Sequence, residues 1–300
     1  MDRQSKIWLL FTVGLSFLIW SLLISWKFSV AIIPAILFHE YGHYYWMGRE
    51  GIQKRSMMMI PPFGAVAACQ EPWPSREAET RIALAGPIFG FISAVGIFVL
   101  WQMFRYPILG ATTYLICFFN MFNLLAPIPI LDGGRVIKSI LCSMDEKWGV
   151  LFYYFGFMVL LASFIWIPGA GLIATVIGYL LYKDFQYHRM LPQILSNSRL
   201  ALGLLAFVDR EKILYDDKDQ EEDVVKSIFF ASGLEWVPEK NKSGLEKVIK
   251  DLELRINPPG MNLSQAVNHF FVYLSLNLCY VILFLQLTNV NFSNYLSFFK

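Results

Sequence analysis

Charged residues are scarce in this 300-residue sequence. Asp, Glu, Lys and Arg together make up only 16% of the chain, whereas 56% of the residues are hydrophobic. The formal net charge is only +2 and the sequence has no basic stripe, so the charge pattern gives no reason to expect nucleic-acid binding. These proportions are typical of a polytopic membrane protein.

Cysteine is rare too, and its distribution excludes two kinds of site. The four cysteines have no C-x-x-C spacing and lie mostly among apolar residues, so we interpret them as small buried hydrophobic residues. They do not form the pattern of a disulfide framework or of a metal knuckle. They are Cys69, Cys117, Cys142 and Cys279.

The small number of histidines excludes another class of membrane enzyme. Membrane di-iron desaturases and hydroxylases draw on many histidines in several clusters. This chain has four, of which only two are close in sequence, so that class does not fit. The histidines are His39, His43, His188 and His269.

The two neighbouring histidines belong to the motif His39-Glu40-Tyr41-Gly42-His43, inside the apolar stretch 28–47. Ionisable residues in a membrane span indicate a functional site, because burying them in lipid is costly. On a helix, positions i and i+4 share one face, so both imidazoles can reach one metal ion while Glu40 stands beside them. This is the H-E-x-x-H pattern of zinc peptidases. The alternative is a hydrogen-bonded polar cluster that holds helices together.

Apolar runs of about 17–25 residues are long enough to cross a bilayer. Such runs predict spans at 7–26, 28–47, 82–101, 108–127, 150–167, 168–183 and 266–287. The first run resembles a signal peptide but lacks a small-residue cleavage site at its end, so we expect a retained anchor.

Lys and Arg residues are concentrated before the first span, between the second and third, and between the fourth and fifth. The positive-inside rule then predicts that the amino terminus and these loops are cytoplasmic. The histidine motif would lie near the cytoplasmic face, in what we expect to be a bacterial cytoplasmic membrane. The residues concerned are Arg3, Lys6, Arg49, Lys54, Arg55, Arg76, Arg81, Arg135, Lys138 and Lys147.

A catalytic zinc usually has three protein ligands, so two histidines leave one to be found. Asp132 is the best candidate, because it lies at the cytoplasmic end of the fourth predicted span, at a depth similar to the histidines. Pro127 and Pro129 break the helix before it, which indicates that this backbone lines an enclosed or watery cavity. Gly133 and Gly134 would let the chain turn closely around a metal. Asp132 could instead be only a turn residue before the two glycines.

His39-Glu40-x-x-His43, followed about ninety residues later by an N-x-x-P…L-D-G-G element, resembles the site-2 protease family of intramembrane zinc metalloproteases. Pro61-Pro62-Phe63-Gly64-Ala65-Val66 and Ala83-Leu84-Ala85-Gly86-Pro87 are similar to two further stretches of that family's core. The resemblance covers about residues 28–140. It implies Zn²⁺ bound by His39, His43 and Asp132, with Glu40 as general base.

The resemblance also implies a role for an asparagine in stabilising the oxyanion or orienting the substrate. Asn123 is the match, but it lies one residue further from Asp132 than the family pattern has it, because Ala126 is extra. Asn120 is therefore the second candidate. The implied partners are a membrane-spanning or membrane-associated protein substrate, the lipid bilayer and an unidentified regulatory membrane protein.

The predicted fold is an α-helical polytopic membrane protein. We expect about six to seven transmembrane helices, a three-helix catalytic core, a short membrane-associated β-hairpin or loop, and a small cytoplasmic α-rich insert. The predicted boundaries are an anchor at 1–27, the core at 28–140, further spans at 141–183, a cytoplasmic domain with an acidic run at 184–262, and a last span with its tail at 263–300.

Three alternatives remain open at this stage. The stretch from Gly86 to Gly90, with Ala94, fits a close-packing helix face better than a binding element. Residues 57–60 fit either a buried connector or a strand whose free edge pairs with the backbone of a substrate. The chain as a whole could be a non-proteolytic membrane scaffold or a metal-binding transporter, although neither would need Glu40 beside His39.

Overall fold

The computed structural model describes residues 3–62, 64–69, 71–166, 171–211 and 241–288, and these are mostly helical. A two-stranded hairpin follows the second helix. The elements in chain order are α1 (Arg3–Leu23), α2 (Trp26–Arg49), β1 (Arg55–Ile60), β2 (Gly64–Cys69), α3 (Arg76–Phe104), α4 (Pro107–Leu125), α5 (Asp132–Met144), α6 (Glu146–Trp166), α7 (Gly171–Glu211), α8 (Asn241–Ile256) and α9 (Leu263–Thr288).

Among the described residues, five helices are long and apolar enough to cross a membrane: α1, α3, α4, α6 and α9. The sequence predicts two more spans. One of them forms α2, which the His39–His43 motif makes less apolar than the other five. The other, 168–183, begins outside the described residues and continues as the first part of α7. The described residues therefore contain five candidate spans, and the six to seven expected are not confirmed.

The chain divides into two compact units, one comprising Met1–Leu181 with Gly260–Lys300 and the other Tyr182–Pro259. The second unit contains α8 and most of α7. The boundary expected at residue 183 falls inside the continuous helix α7. The acidic run at 216–223 lies outside the described residues.

Serine side chains cap the start of α2, which carries the histidine motif, and the start of its neighbour α3. Ser25 Oγ accepts a hydrogen bond from the Phe28 main-chain nitrogen at the start of α2, and Ser75 Oγ accepts one from Ala78 at the start of α3. Each bond satisfies an amide that has no partner within its helix. Within the first unit, α2 and α3 then pack closely, because Gly42 leaves room for the Ala85 carbonyl; a Cβ on Gly42 would lie 2.5 Å from that oxygen.

The segment after α2 forms an antiparallel hairpin, in which β1 pairs with β2 so that Met58 faces Val66 and Ile60 faces Gly64. Helix α1 covers the outer edge of β1. The Met59 main-chain nitrogen donates to Thr12 Oγ1 (3.2 Å), and Trp20 Nε1 donates to the Pro62 carbonyl beyond the end of the strand (3.0 Å). The hairpin is thus held against α1 on the β1 side.

The predicted helix break before Asp132 is confirmed. α4 ends at Leu125, an irregular segment with Pro127 and Pro129 follows, and α5 begins at Asp132. The two glycines after Asp132 pack directly on this segment. A Cβ on Gly133 would lie 1.7 Å from the Leu124 carbonyl oxygen, and one on Gly134 would lie 1.8 Å from that of Ile128. Any larger residue at either position would force the segment to move.

The hydrophobic core of the first unit lies among α1 to α5 and α9, and Met59 of β1 is part of it. Cys117 is completely buried in it, as the sequence analysis expects. Cys69 and Cys142 are only partly buried, and Cys279 is exposed on α9. All four are free thiols in the structure, and the interpretation of them as buried residues is wrong for Cys279 and only partly right for Cys69 and Cys142.

Candidate metal centre

The three predicted metal ligands lie together. His39 Nε2 is 3.0 Å from Asp132 Oδ2, His43 Nε2 is 3.2 Å from the same oxygen, and the two Nε2 atoms are 3.2 Å apart. All three residues are buried. They form the one group of at least three potential His, Cys, Asp or Glu ligands among the residues that the structure describes.

These distances match those of a bound zinc ion. Tetrahedral zinc with bonds of about 2.0–2.1 Å places its ligand atoms about 3.3 Å apart. The backbone of α3 leaves the centre open at Gly86, where a Cβ would lie 2.2 Å from His43 Nε2 and 2.7 Å from His39 Nε2. The stretch at Gly86 and Gly90 is therefore a close-packing face, as expected, and it packs against the candidate ligands themselves.

Hydrogen bonds behind the imidazoles direct their Nε2 atoms towards Asp132. His43 Nδ1 lies 2.7 Å from the Ile82 carbonyl, which can only accept, so Nδ1 is the protonated nitrogen. His39 Nδ1 lies 2.8 Å from Asn120 Oδ1. The Asn120 amide can only have this orientation, because its Nδ2 donates to the Ile116 carbonyl. With the proton of the neutral ring on Nδ1, the neutral form of each imidazole presents the lone pair of Nε2, which is the form that binds a cation.

Asn120 is thus placed to orient His39. Its Oδ1 and Nδ2 atoms both have partners within the protein, and Gly90 makes room for it, because a Cβ there would lie 2.4 Å from Asn120 Oδ1. From the sequence, Asn120 is only the second candidate for the oxyanion role. No local signal would have assigned it to His39, since the two residues are 81 positions apart.

Asn123 fixes Asp132. Its Nδ2 donates to Asp132 Oδ2 (2.6 Å), and its Oδ1 accepts from the Asp132 main-chain nitrogen (3.0 Å). The same Nδ2 is 3.5 Å from His39 Nε2, so Asn123 borders the metal centre. Burial alone would raise the pKa of Asp132, but the facing imidazoles of His43 and His39 outweigh it and hold that pKa below its usual range. The carboxylate is therefore in the ionised form that a metal requires.

Glu40 lies on α2 between the two histidines and is less buried than they are. Its Oε2 accepts a hydrogen bond from the main-chain nitrogen of Ala67 in β2 (2.7 Å). The general base predicted from the sequence is therefore in direct contact with the hairpin. This contact places the outer edge of β2 beside the candidate centre.

The fold and the site define a polytopic membrane protein with a buried two-histidine, one-aspartate centre and a neighbouring glutamate. Residues 27–116 match the model of peptidase family M50. The resemblance to the site-2 protease family, indicated by the motifs, is thereby confirmed. The match covers His39, Glu40, His43 and Gly86 and ends before Asp132.

A similar protein is a zinc metalloprotease from Methanocaldococcus jannaschii. It is 29% identical over 150 residues, which make up 48% of this chain and 42% of the relative. The chain therefore matches less than half of the length of that curated relative.

Proposed function

We propose that this chain is an intramembrane zinc metalloprotease, which hydrolyses peptide bonds in or near the transmembrane segments of other membrane proteins and so performs regulated intramembrane proteolysis. The observation that carries the proposal is the convergence of His39, His43 and Asp132 within 3.2 Å, with Glu40 on the same helix. A scaffold or a metal carrier would use the three ligands but would have no need for Glu40.

In the proposed mechanism, His39, His43 and Asp132 would hold the zinc ion. When bound, zinc would supply Lewis-acid chemistry, since in such sites it lowers the pKa of water to about 7. Glu40 takes a proton from the attacking water on its carboxylate and passes it to the leaving nitrogen. The partial exposure of Glu40 supports this role, since the three candidate ligands themselves are buried.

Asn123 remains the proposed residue for stabilising the oxyanion or orienting the substrate. It borders the metal centre, at 3.5 Å from His39 Nε2. One N–H of its Nδ2 donates to Asp132 Oδ2, so the second N–H is the donor that could reach a substrate carbonyl. Asn120 is less suited to that role, because His39 and Ile116 already occupy its amide.

The substrate would bind as an extended segment along β2. A helical amide has its carbonyl engaged and sterically shielded, so a transmembrane substrate must unwind locally, and residues of low helix propensity are expected near the cleavage point. α1 covers the edge of β1 through Thr12, whereas the edge of β2 faces Glu40. Strand addition to an exposed edge is a common way to bind a peptide.

The proposed location is a bacterial cytoplasmic membrane, with the metal centre near its cytoplasmic face. The Lys and Arg pattern supports this orientation. The bilayer surrounds the spans, the substrate is a membrane-spanning or membrane-associated protein, and a regulatory membrane protein is a further expected partner.

The proposal can be tested by co-expressing the chain with candidate single-span membrane proteins and identifying cleaved peptides by mass spectrometry. Glu40→Gln should lower cleavage by about 10²–10⁴-fold, because it removes the general base, but should leave the bound zinc. Its amide oxygen can still accept from Ala67, so the hairpin contact is preserved. Turnover near that of the wild type would refute the role of Glu40.

The metal ligands are tested separately. His39→Ala and Asp132→Ala should both reduce the zinc content of the purified protein, because each removes one of the three converging atoms. An unchanged zinc content in Asp132→Ala would show that another residue is the third ligand.

A further inference from the structure

The break at the end of α4 leaves the Leu124 carbonyl without its helical donor. The Ala126 nitrogen still donates to the Phe122 carbonyl, but Pro127 has no N–H, and the Ile128 nitrogen donates to Ala126 instead. In a continuous helix the Ile128 N–H would donate to the Leu124 carbonyl, so the break removes this hydrogen bond. In apolar surroundings such a group needs another donor, which must come from a neighbouring element.

Tyr273 supplies that donor from α9. Its hydroxyl donates to the Leu124 carbonyl oxygen at 2.9 Å, and the two residues are 149 positions apart in the sequence. Tyr273 is only 7% exposed, so the bond is made within the protein and away from solvent. α9 lies well beyond the part of the chain that matches the family model.

The same carbonyl is next to the residues that hold the candidate metal ligand. Gly133, which follows Asp132, packs so closely that a Cβ on it would lie 1.7 Å from the Leu124 oxygen. Asn123, which precedes Leu124, exchanges two hydrogen bonds with Asp132. Any movement of the Leu124 carbonyl must therefore be transmitted to Asp132 from both sides.

We propose that Tyr273 is a positioning residue of the metal centre: its hydroxyl fixes the broken end of α4 and thereby the place of Asp132 relative to His39 and His43. The consequence for peptide cleavage rests on the proposed function. The consequence for metal affinity and ligand geometry is independent of that function, because this consequence requires only that the three ligands bind a metal.

Tyr273→Phe removes the hydroxyl and little else. In the full-length protein in detergent, we expect zinc affinity, measured by competition with a chelator, to fall by about tenfold or more, as for other residues that orient metal ligands. The visible absorption of the Co²⁺-substituted protein should also change, because it reports the geometry of the ligands. A purely structural role would lower thermal stability without altering that spectrum.

Tyr280→Phe is the matched control. Tyr280 lies two turns further along α9, is completely buried, and donates to the Pro87 carbonyl at 2.8 Å. That carbonyl lies inside the continuous helix α3, where the helix provides a second donor, so we expect wild-type zinc affinity and spectrum. Wild-type behaviour of Tyr273→Phe would overturn the proposal, and so would equal losses in the two variants.

A rescue variant keeps the proposal testable if Tyr273→Phe does not fold. Tyr273→p-aminophenylalanine retains an N–H donor at the same place, and we expect it to recover most of the zinc affinity. A folded rescue variant with a loss of tenfold or more would contradict the proposal. If Tyr273→Phe weakens zinc binding but the wild type cleaves no membrane protein, the proposed function fails while the role of Tyr273 stands.

Discussion

Gly86 faces His43 so closely that a Cβ on the glycine would lie 2.2 Å from the imidazole Nε2. No real Cβ contact is that short, so the backbone of α3 itself forms one wall of the candidate metal centre. The candidate centre is therefore built from α2, α3 and the start of α5, although α3 contributes none of the candidate ligands.

Gly86→Ala should consequently displace His43 and lower the zinc content of the purified protein. Gly96→Ala is its control, because Gly96 is on the same helix and has no atom within 4 Å of the added Cβ. Alanine favours a helix over glycine by about 1 kcal/mol, so Gly96→Ala should be neutral or slightly stabilising. Zinc content and thermal unfolding of both variants would check this. Equal zinc content in the two would contradict the close approach.

Asn120→Ala should weaken zinc binding by about 10–100-fold, because His39 Nδ1 loses the acceptor that orients its ring. Asn120→Asp keeps an acceptor at that position and should retain more affinity than the alanine variant. Chelator competition on both proteins gives the comparison. If Asn120→Ala binds zinc as the wild type does, the contact with His39 has no role in metal binding.

The proposed orientation predicts which side of the membrane admits a thiol label. Gly133 itself cannot carry a cysteine, since its Cβ would collide with the Leu124 carbonyl. Lys147 is exposed near the start of α6, on the predicted cytoplasmic side of the membrane. Tyr106 is exposed between α3 and α4, on the predicted external side. With the native cysteines replaced, Lys147→Cys should react only with cytoplasmic reagent and Tyr106→Cys only with external reagent. The reverse pattern would show that the Lys and Arg distribution was misread.

The three candidate ligands, which the structure brings together, can be singled out from the sequence because each one leaves a local signal. His39 and His43 have the spacing of one helix face, and Asp132 is marked by the prolines and glycines around it. Asn120 and Tyr273 have no such signal, because their roles depend on which helix faces which. Their partners are 81 and 149 residues away, and helical periodicity carries no information about that pairing.

The number of spans was harder to predict for a related reason. Apolar length identifies a span only where the helix faces lipid, and α2 carries the polar residues of the site. The end of the span predicted at 168–183 is hard to place for a different reason. Its apolar run continues without a break into a polar helix that ends at Glu211. Hydropathy cannot place a boundary inside a continuous helix.

Single proline substitutions can test whether a substrate strand pairs with the outer edge of β2. The Ala67 N–H points away from β1, towards Glu40, and successive N–H groups alternate along a strand. The Ala65 N–H therefore also points away from β1, whereas that of Val66 points towards Met58. Proline at Ala65 would remove one outward donor and leave the pairing of the hairpin intact.

If a substrate strand pairs with this edge, Ala65→Pro should raise the KM for cleavage by about twofold to tenfold, the value of one net hydrogen bond. Zinc content and thermal stability should stay close to those of the wild type. Val66→Pro is the comparison, since it breaks the hairpin and should lower stability as well as cleavage. Normal cleavage by Ala65→Pro, or loss of its zinc, would mean that the hairpin only connects α2 to α3 and does not hold the substrate.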